Sequence, residues 1–226
     1  MEMDIIMPSL NEEKGLGKLA KEIPAEEFEK RGIKCRVIIA DGGSNDKTFE
    51  VAKKNSIKVI KSKRGYGIQY RNAFKSAKGD YIATLDSDAS YDPKDLVRLY
   101  DYLIEKNLDF VTGDRLTNIK GRVMKKHHYF ANKFLNFWVR MIYCVEVKDS
   151  QSGMWVFRRD ILSRIKLRSK GMPLSEEIKI EAFKKLKAGE ITIDYRPRLG
   201  KEKIRSFVDG SLDFFYLFWK RFRDLF

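Results

Sequence analysis

Tyr81-Ile82-Ala83-Thr84-Leu85-Asp86-Ser87-Asp88 is an apolar run that ends in carboxylates one residue apart. Tyr81 to Leu85 reads as a buried strand. Successive strand side chains point to opposite faces, so Asp86 and Asp88 share one face where the strand runs out into a loop. Such a pair suits a hard divalent cation, because magnesium and manganese take oxygen ligands and are commonly held by one or two carboxylates together with substrate phosphates. An Asp-x-Asp at a strand end is equally what a solvated turn shows, so the flanking sequence has to decide.

Upstream, Met3 to Met7 is a short apolar strand ending in Pro8-Ser9-Leu10-Asn11-Glu12-Glu13, and Cys35 to Ala40 is another ending in Asp41-Gly42-Gly43-Ser44-Asn45-Asp46. A helical pattern follows each run, which places acidic or small polar residues at several strand ends. In an open α/β sheet, ligands bind at that carboxyl edge. Gly42 and Gly43 permit a sharp turn, and Asp46 is a helix cap before Lys47.

Downstream, Asp92 and Pro93 open a helix in which Leu96, Leu99, Tyr100, Leu103 and Ile104 repeat at helical spacing, a core-packing stripe. Strands are expected near 3–7, 35–40, 57–60, 80–86, 108–113 and 190–195. Helices are expected near 12–22, 46–55, 67–77, 93–106, 122–143, 174–188 and 209–225. This alternation predicts an α/β fold, a mostly parallel central sheet with helices on both faces. The 226 residues fit one catalytic domain, 1–206, followed by an aromatic and basic helix over 207–226.

The 46 Lys and Arg against 32 Asp and Glu give a net charge of +14, which favours anionic partners: phosphorylated substrates, nucleic acid or an acidic membrane surface. The two cysteines, Cys35 and Cys144, form neither a disulfide framework nor a zinc spacing, which fits a reducing cytoplasm. No signal-peptide pattern opens the chain, and no apolar run approaches the roughly 18 residues needed to span a bilayer. The expected location is cytoplasmic, peripheral to the inner face of the cell membrane.

Taken in order, Pro8-Ser9-Leu10-Asn11-Glu12, Asp41-Gly42-Gly43-Ser44-Asn45-Asp46-Lys47-Thr48 and Asp86-Ser87-Asp88 resemble a family 2 glycosyltransferase with the GT-A nucleotide-sugar-binding fold. The resemblance continues through Arg64-Gly65-Tyr66-Gly67, Ala77-Lys78-Gly79-Asp80, Thr112-Gly113-Asp114-Arg115, Asp149-Ser150-Gln151-Ser152-Gly153 and Arg198-Leu199-Gly200-Lys201-Glu202-Lys203. Within the family the chain is most similar to the polyprenol-phosphate sugar synthases, including the dolichol-phosphate mannose synthases. It departs from them at Ser90, where Asp-x-Asp-x-Gln is usual, and at Glu202, where Gly-Lys-Ser-Lys is usual.

The resemblance implies an inverting hexosyltransferase dependent on Mg2+ or Mn2+, with Asp88, Asp86 and Ser90 at the metal. It implies a base and ribose pocket lined by Pro8, Leu10, Glu12, Ile39, Asp41 and Gly43, with Asp86 reaching the ribose or sugar side. Asp149 then lies near the reaction centre, as an orienting residue or a base. If the acceptor is a polyprenyl phosphate, its second pKa of about 6 leaves the attacking oxygen anionic at neutral pH. Cations are needed instead of a base, and Arg115, Arg198, Lys201 and Lys203 are the candidates.

Glu176 and Glu177 read as helix-start charges, and the adjacent His127 and His128 as surface residues. From Tyr129 to Tyr143, and again from Leu212 to Arg223, large apolar and aromatic residues alternate with basic ones, as in helices that lie on anionic lipid, dock on their own domain or form a dimer contact. Transfer to a saccharide hydroxyl, with Asp149 as base, is the same-fold alternative. A basic nucleic-acid binder lacks any helix-turn-helix, zinc or RNA-recognition signature, and a nucleotidyltransferase lacks its glycine-rich phosphate loop.

Overall fold

The computed structural model describes residues 1–117, 123–200 and 206–224. Seven strands form one sheet in the order β3-β2-β1-β4-β6-β5-β7. These are β1 (Glu2–Ser9), β2 (Lys34–Asp41), β3 (Lys58–Lys61), β4 (Tyr81–Thr84), β5 (Phe110–Asp114), β6 (Trp155–Arg158) and β7 (Ala188–Thr192). β1 pairs in parallel with β2 and β4, β2 with β3, and β5 with β7, while β6 runs antiparallel between β4 and β5. The sheet is therefore mostly parallel, as the alternation predicts.

Both faces are covered. Along β1, Met3, Ile5 and Met7 face a core shared with Leu16, Leu19, Leu96, Leu99 and Leu103. Ile6, one residue out of phase, faces the opposite core with Tyr70, Trp155 and Ile178. The first core is closed by α1 (Glu13–Glu22), α2 (Ala25–Glu29), α3 (Thr48–Lys54) and α5 (Asp95–Glu105), and the second by α4 (Tyr66–Ser76) and α7 (Leu174–Lys185). Asp46 caps α3 by accepting the Thr48 amide at 3.0 Å, and Asp92 accepts the Lys94 amide at 3.0 Å before α5.

α6 (Lys126–Tyr143) and α8 (Ser206–Arg223) run side by side in the same direction, with Phe134 against Phe214 and Trp138 against Phe218. The Tyr143 hydroxyl donates to the Leu217 carbonyl at 2.6 Å, and Leu217 is buried in a third cluster with Val139, Val147 and Ile180. Glu177 of α7 accepts the Tyr216 hydroxyl at 2.5 Å and the Arg168 and Ser169 amides at 2.8 Å. Glu176 and Glu177 do start α7, but both are wholly buried, so they are packing and pinning groups rather than solvated helix-start charges.

β6 was not expected from the sequence. It is four residues long and buried on both faces, so it shows no alternation. β7 lies earlier than the expected 190–195, because pairing with β5 fixes Phe110 opposite Ala188. α7 stops at Lys185, where Leu186 turns to extended backbone.

Candidate active site

β1, β2, β4 and β5 end on the same edge of the sheet, and antiparallel β6 begins there. The chain moves outward from β1 to β2 and β3, then returns to place β4 on the other side of β1. That reversal opens a crevice between the ends of β1 and β4, where ligands bind in open α/β sheets. A cavity of about 300 Å³ occupies it, lined by Pro8, Leu10, Glu12, Arg64, Tyr66, Gln69, Asp86, Asp88, Met172 and Arg198 among others. A second cavity of about 750 Å³ shares Tyr66, Asp86, Asp88, Met172 and Arg198 and extends past Arg115, Gln151, Tyr195 and Arg196 to Lys125, His127, His128, Gly210 and Asp213. The paired aspartates thus stand at the seam of the two.

Asp86 accepts a hydrogen bond from the Tyr66 hydroxyl at 3.3 Å. Burial, and then the neighbouring Asp88 charge, push its carboxyl up to about 7, against the pull of Arg115, Tyr66 and Arg198. Asp88 accepts the Ser90 amide at 2.9 Å and pairs with Arg198 at 3.2 Å. Arg198 also reaches Glu12 at 3.4 Å, and it lines both cavities. The residue between Asp88 and Ser90, Ala89, has φ of 60°, a left-handed conformation that strains any side chain bearing a Cβ.

Two glycines allow the close approach. A Cβ on Gly15 of α1 would meet the Ser87 carbonyl oxygen at 2.2 Å and the Asp88 Cα at 2.8 Å. One on Gly153 would meet the Tyr66 hydroxyl at 2.7 Å and Asp86 Oδ1 at 3.0 Å.

Arg115 and Asp149 form a buried pair in which Nε donates to Oδ2 at 2.7 Å and a terminal nitrogen to Oδ1 at 2.9 Å. Burial alone would raise the Asp149 carboxyl, but the Arg115 charge and hydrogen bonds hold it below the usual carboxylate range. Asp149 is wholly buried and lines neither cavity, whereas Arg115 lines the larger one. Glu176 accepts from Gln151 at 3.0 Å, and burial followed by the Asp213 charge raises its carboxyl well above the ordinary value.

Several sequence expectations are relocated. Ile39 is a core residue with no exposure, because β2 is covered on both faces there. Asp41 and Gly43 line neither cavity; the Asp41 carboxylate closes its own turn by accepting the Gly43 and Ser44 amides at 3.0 Å. Ser90 is buried behind Asp88, outside both linings, and contributes its amide. Lys201 and Lys203 lie outside the described residues. His127 is exposed and His128 half-buried, and both line the larger cavity.

Tyr66, Gln69 and Met172 carry no assignment from sequence, although Gly65-Tyr66-Gly67 marked the turn. Gln69 donates to the Ser9 and Ala40 carbonyls at 2.8 and 2.7 Å, tying the ends of β1 and β2 together.

Residues 4–166 match the family described as Glycosyl transferase family 2. The chain belongs to this family. It is 35% identical over 212 residues to the low-salt glycan biosynthesis hexosyltransferase Agl6 of Haloferax volcanii, covering 92% of this chain and 51% of that protein, so it spans about half the length of that relative. It is 29% identical over 213 residues to a dolichyl-phosphate hexose transferase of the same organism, covering 93% of this chain and 90% of that protein. Among solved structures, glucosyl-3-phosphoglycerate synthase from Mycobacterium tuberculosis in complex with Mn2+ and uridine-diphosphate-glucose is similar, with TM-score 0.74 at 16% identity over 97% of this chain and 78% of that one. That likeness establishes the GT-A fold.

Proposed function

We propose that the protein transfers a hexose, with inversion, from a nucleoside-diphosphate sugar to a polyprenyl phosphate at a membrane surface, with Mg2+ or Mn2+. The smaller cavity takes the nucleotide. Pro8 and Leu10 offer apolar contact, and Glu12 accepts hydrogen bonds from base or ribose.

The donor set at the seam fits a cation shared with substrate. Asp86 and Asp88 supply hard oxygens, and no cluster of three or more His, Cys, Asp or Glu suited to a metal exists among the described residues, so further ligands would come from a diphosphate. Asp88 and Asp86 would hold the ion, with Ser90 orienting Asp88 through its amide. When bound, the cation neutralises charge developing on the departing diphosphate. Arg198, already paired with Asp88 and Glu12, can add its own charge to the same oxygens.

The observation that carries the acceptor class is the state of Asp149. A base must reach the acceptor proton, yet this acid is spent on Arg115 and shut out of the cavity. Its role is to orient Arg115. The larger cavity instead carries Arg115, Lys125, Arg196, His127 and His128 and receives the first turn of α6, whose dipole favours an anion. A phosphate monoester needs that charge and no base. The second reading, transfer to a saccharide hydroxyl, draws on Asp213, the carboxylate that α8 brings to the same cavity.

Beyond the cavity, Phe130, Phe134, Phe137 and Met141 of α6 and Leu212, Phe215, Phe218 and Trp219 of α8 are exposed, with Lys133, Arg140 and Arg221 exposed beside them. No helix among the described residues is long and apolar enough to cross a membrane, so this face would lie on anionic lipid. The relative acting on dolichyl phosphate supports that placement. We read α8 as part of the catalytic unit.

The test is product analysis with Mn2+, UDP-glucose or GDP-mannose, and a prenyl phosphate presented either in anionic liposomes or dispersed in detergent. The expected product is a glycosyl prenyl phosphate. The double variant Phe215→Ser, Trp219→Ser should lose at least fivefold on liposomes and keep its activity in detergent. Transfer to an oligosaccharide alone, abolished by Asp213→Asn, would replace the acceptor assignment.

A further inference from the structure

Lys179 lies in the middle of α7 and is wholly buried, an expensive place for an ammonium unless its hydrogens and charge are met. Its Nζ donates to the Asp149 carbonyl at 2.9 Å and the Ser152 carbonyl at 2.6 Å, and it sits 5.9 Å from the centre of the Trp155 ring. Neither carbonyl belongs to a strand, because residues 149–153 form the loop that enters β6. The loop is held by side chains from every side. Glu190 of β7 accepts the Lys148 and Asp149 amides at 2.7 and 3.0 Å. Asn136 of α6 accepts the Ser150 amide at 2.8 Å, and the Tyr91 hydroxyl accepts the Gly153 amide at 2.7 Å. The Trp155 indole shares the Ser152 carbonyl with Lys179, at 2.8 Å.

The ends of this loop serve different parts of the site. Asp149 aims Arg115 at the larger cavity, whereas Gly153 lies flush against Tyr66 and Asp86 at the seam. A tenth of a nanometre of slack at a reacting centre costs orders of magnitude in rate. We propose that Lys179 is a positioning residue whose ammonium, bonded to the carbonyls at both ends of the 149–153 loop, fixes Arg115 and Asp86 relative to one another for transfer. A methionine would fill the same space and donate nothing. This inference rests on reading the two cavities as donor and acceptor sides of one transfer site.

Lys179→Met and Trp155→Phe are compared with the wild-type chain by amide hydrogen exchange, calorimetry with Mn2+ and UDP-glucose or GDP-mannose, and turnover with farnesyl phosphate. For Lys179→Met, the Ser150 to Gly153 amides should exchange at least tenfold faster while α4 and α5 are unchanged. Turnover should fall at least tenfold with donor affinity held within threefold, a split that general destabilisation would not give. Wild-type exchange in the loop, or turnover within twofold of wild type, overturns the proposal, as does a loss of donor affinity that accounts for the whole effect.

If Lys179→Met does not fold, Trp155→Phe decides. It removes one neutral donor from the same carbonyl and should cost threefold or more in turnover with faster loop exchange, and wild-type behaviour overturns the proposal. If the wild-type chain transfers no sugar to farnesyl phosphate, the acceptor assignment fails, while exchange and donor affinity still judge the tether.

Discussion

Gly15 shows how little slack surrounds the paired aspartates. The Cβ of an alanine there would fall 2.2 Å from the Ser87 carbonyl oxygen, deep inside van der Waals contact with backbone that cannot swing aside as a flexible side chain would. Overpacking of this kind typically costs about 1–3 kcal/mol, and here the relaxation has to pass through the turn that carries Asp88. Gly15→Ala is expected to lower the melting temperature and to weaken Mn2+-dependent nucleotide-sugar binding at least tenfold by calorimetry. Unchanged binding would mean that the turn is not held by α1. The sequence pointed to Asp86 and Asp88 themselves, because strand alternation fixes them on one face whatever else the chain does. It could not supply Tyr66 or Gly153, which meet Asp86 only after α4 has been laid over β1 and β2 and β6 beside β4. Nor could it show that Arg115 would be spent on Asp149, since that pair is made by side chains 34 residues apart. Ile39 was misplaced for a local reason: a residue at a strand end reads as site-facing until the helices covering both faces are known.

Among the elements, α8 is held to the body by charge as well as by its aromatic face. Glu181 of α7 bonds Lys185 at 2.5 Å and the buried Lys220 at 2.7 Å, and Lys220 also meets Asp224 at 2.6 Å. Burial acts to raise the Glu181 carboxyl, but its bonds to Lys185, Lys220 and the Lys166 amide prevail and hold it down to about 2. A carboxyl lowered by folding contributes stability that is fully present above its unfolded value near 4.5 and is lost as pH falls towards 2. Urea midpoints measured from pH 6 to pH 2.5 should fall for the wild type by more than for Glu181→Gln, with the two curves converging in acid. Parallel curves would show that the pair contributes nothing. This element was legible as an aromatic and basic helix, but not what it docks on, because its amphipathic pattern suits lipid and protein alike. β6 was invisible for the opposite reason, as a strand buried on both faces offers no period to read.

At the scale of the whole molecule, the alternation of strands and helices was enough to give a mostly parallel sheet, and the acidic strand ends were enough to give its working edge. The antiparallel insertion of β6 was not, and it is what brings residues 149–153 to that edge from a distant part of the chain. The outcome is a pair of joined cavities with Asp86 and Asp88 between them, one side flanked by β1 and the other by α6 and α8. The proposed transfer depends on those aspartates gripping a cation together with the donor diphosphate. Calorimetric titration of UDP-glucose and GDP-mannose into the wild-type chain and Asp88→Ala, each with Mn2+ and with excess chelator, tests it most directly. Saturable binding of one donor by the wild type with Mn2+, weakened at least thirtyfold by chelator and by Asp88→Ala in a folded protein, is the predicted result. Donor binding of equal strength in chelator, or in Asp88→Ala, would contradict it.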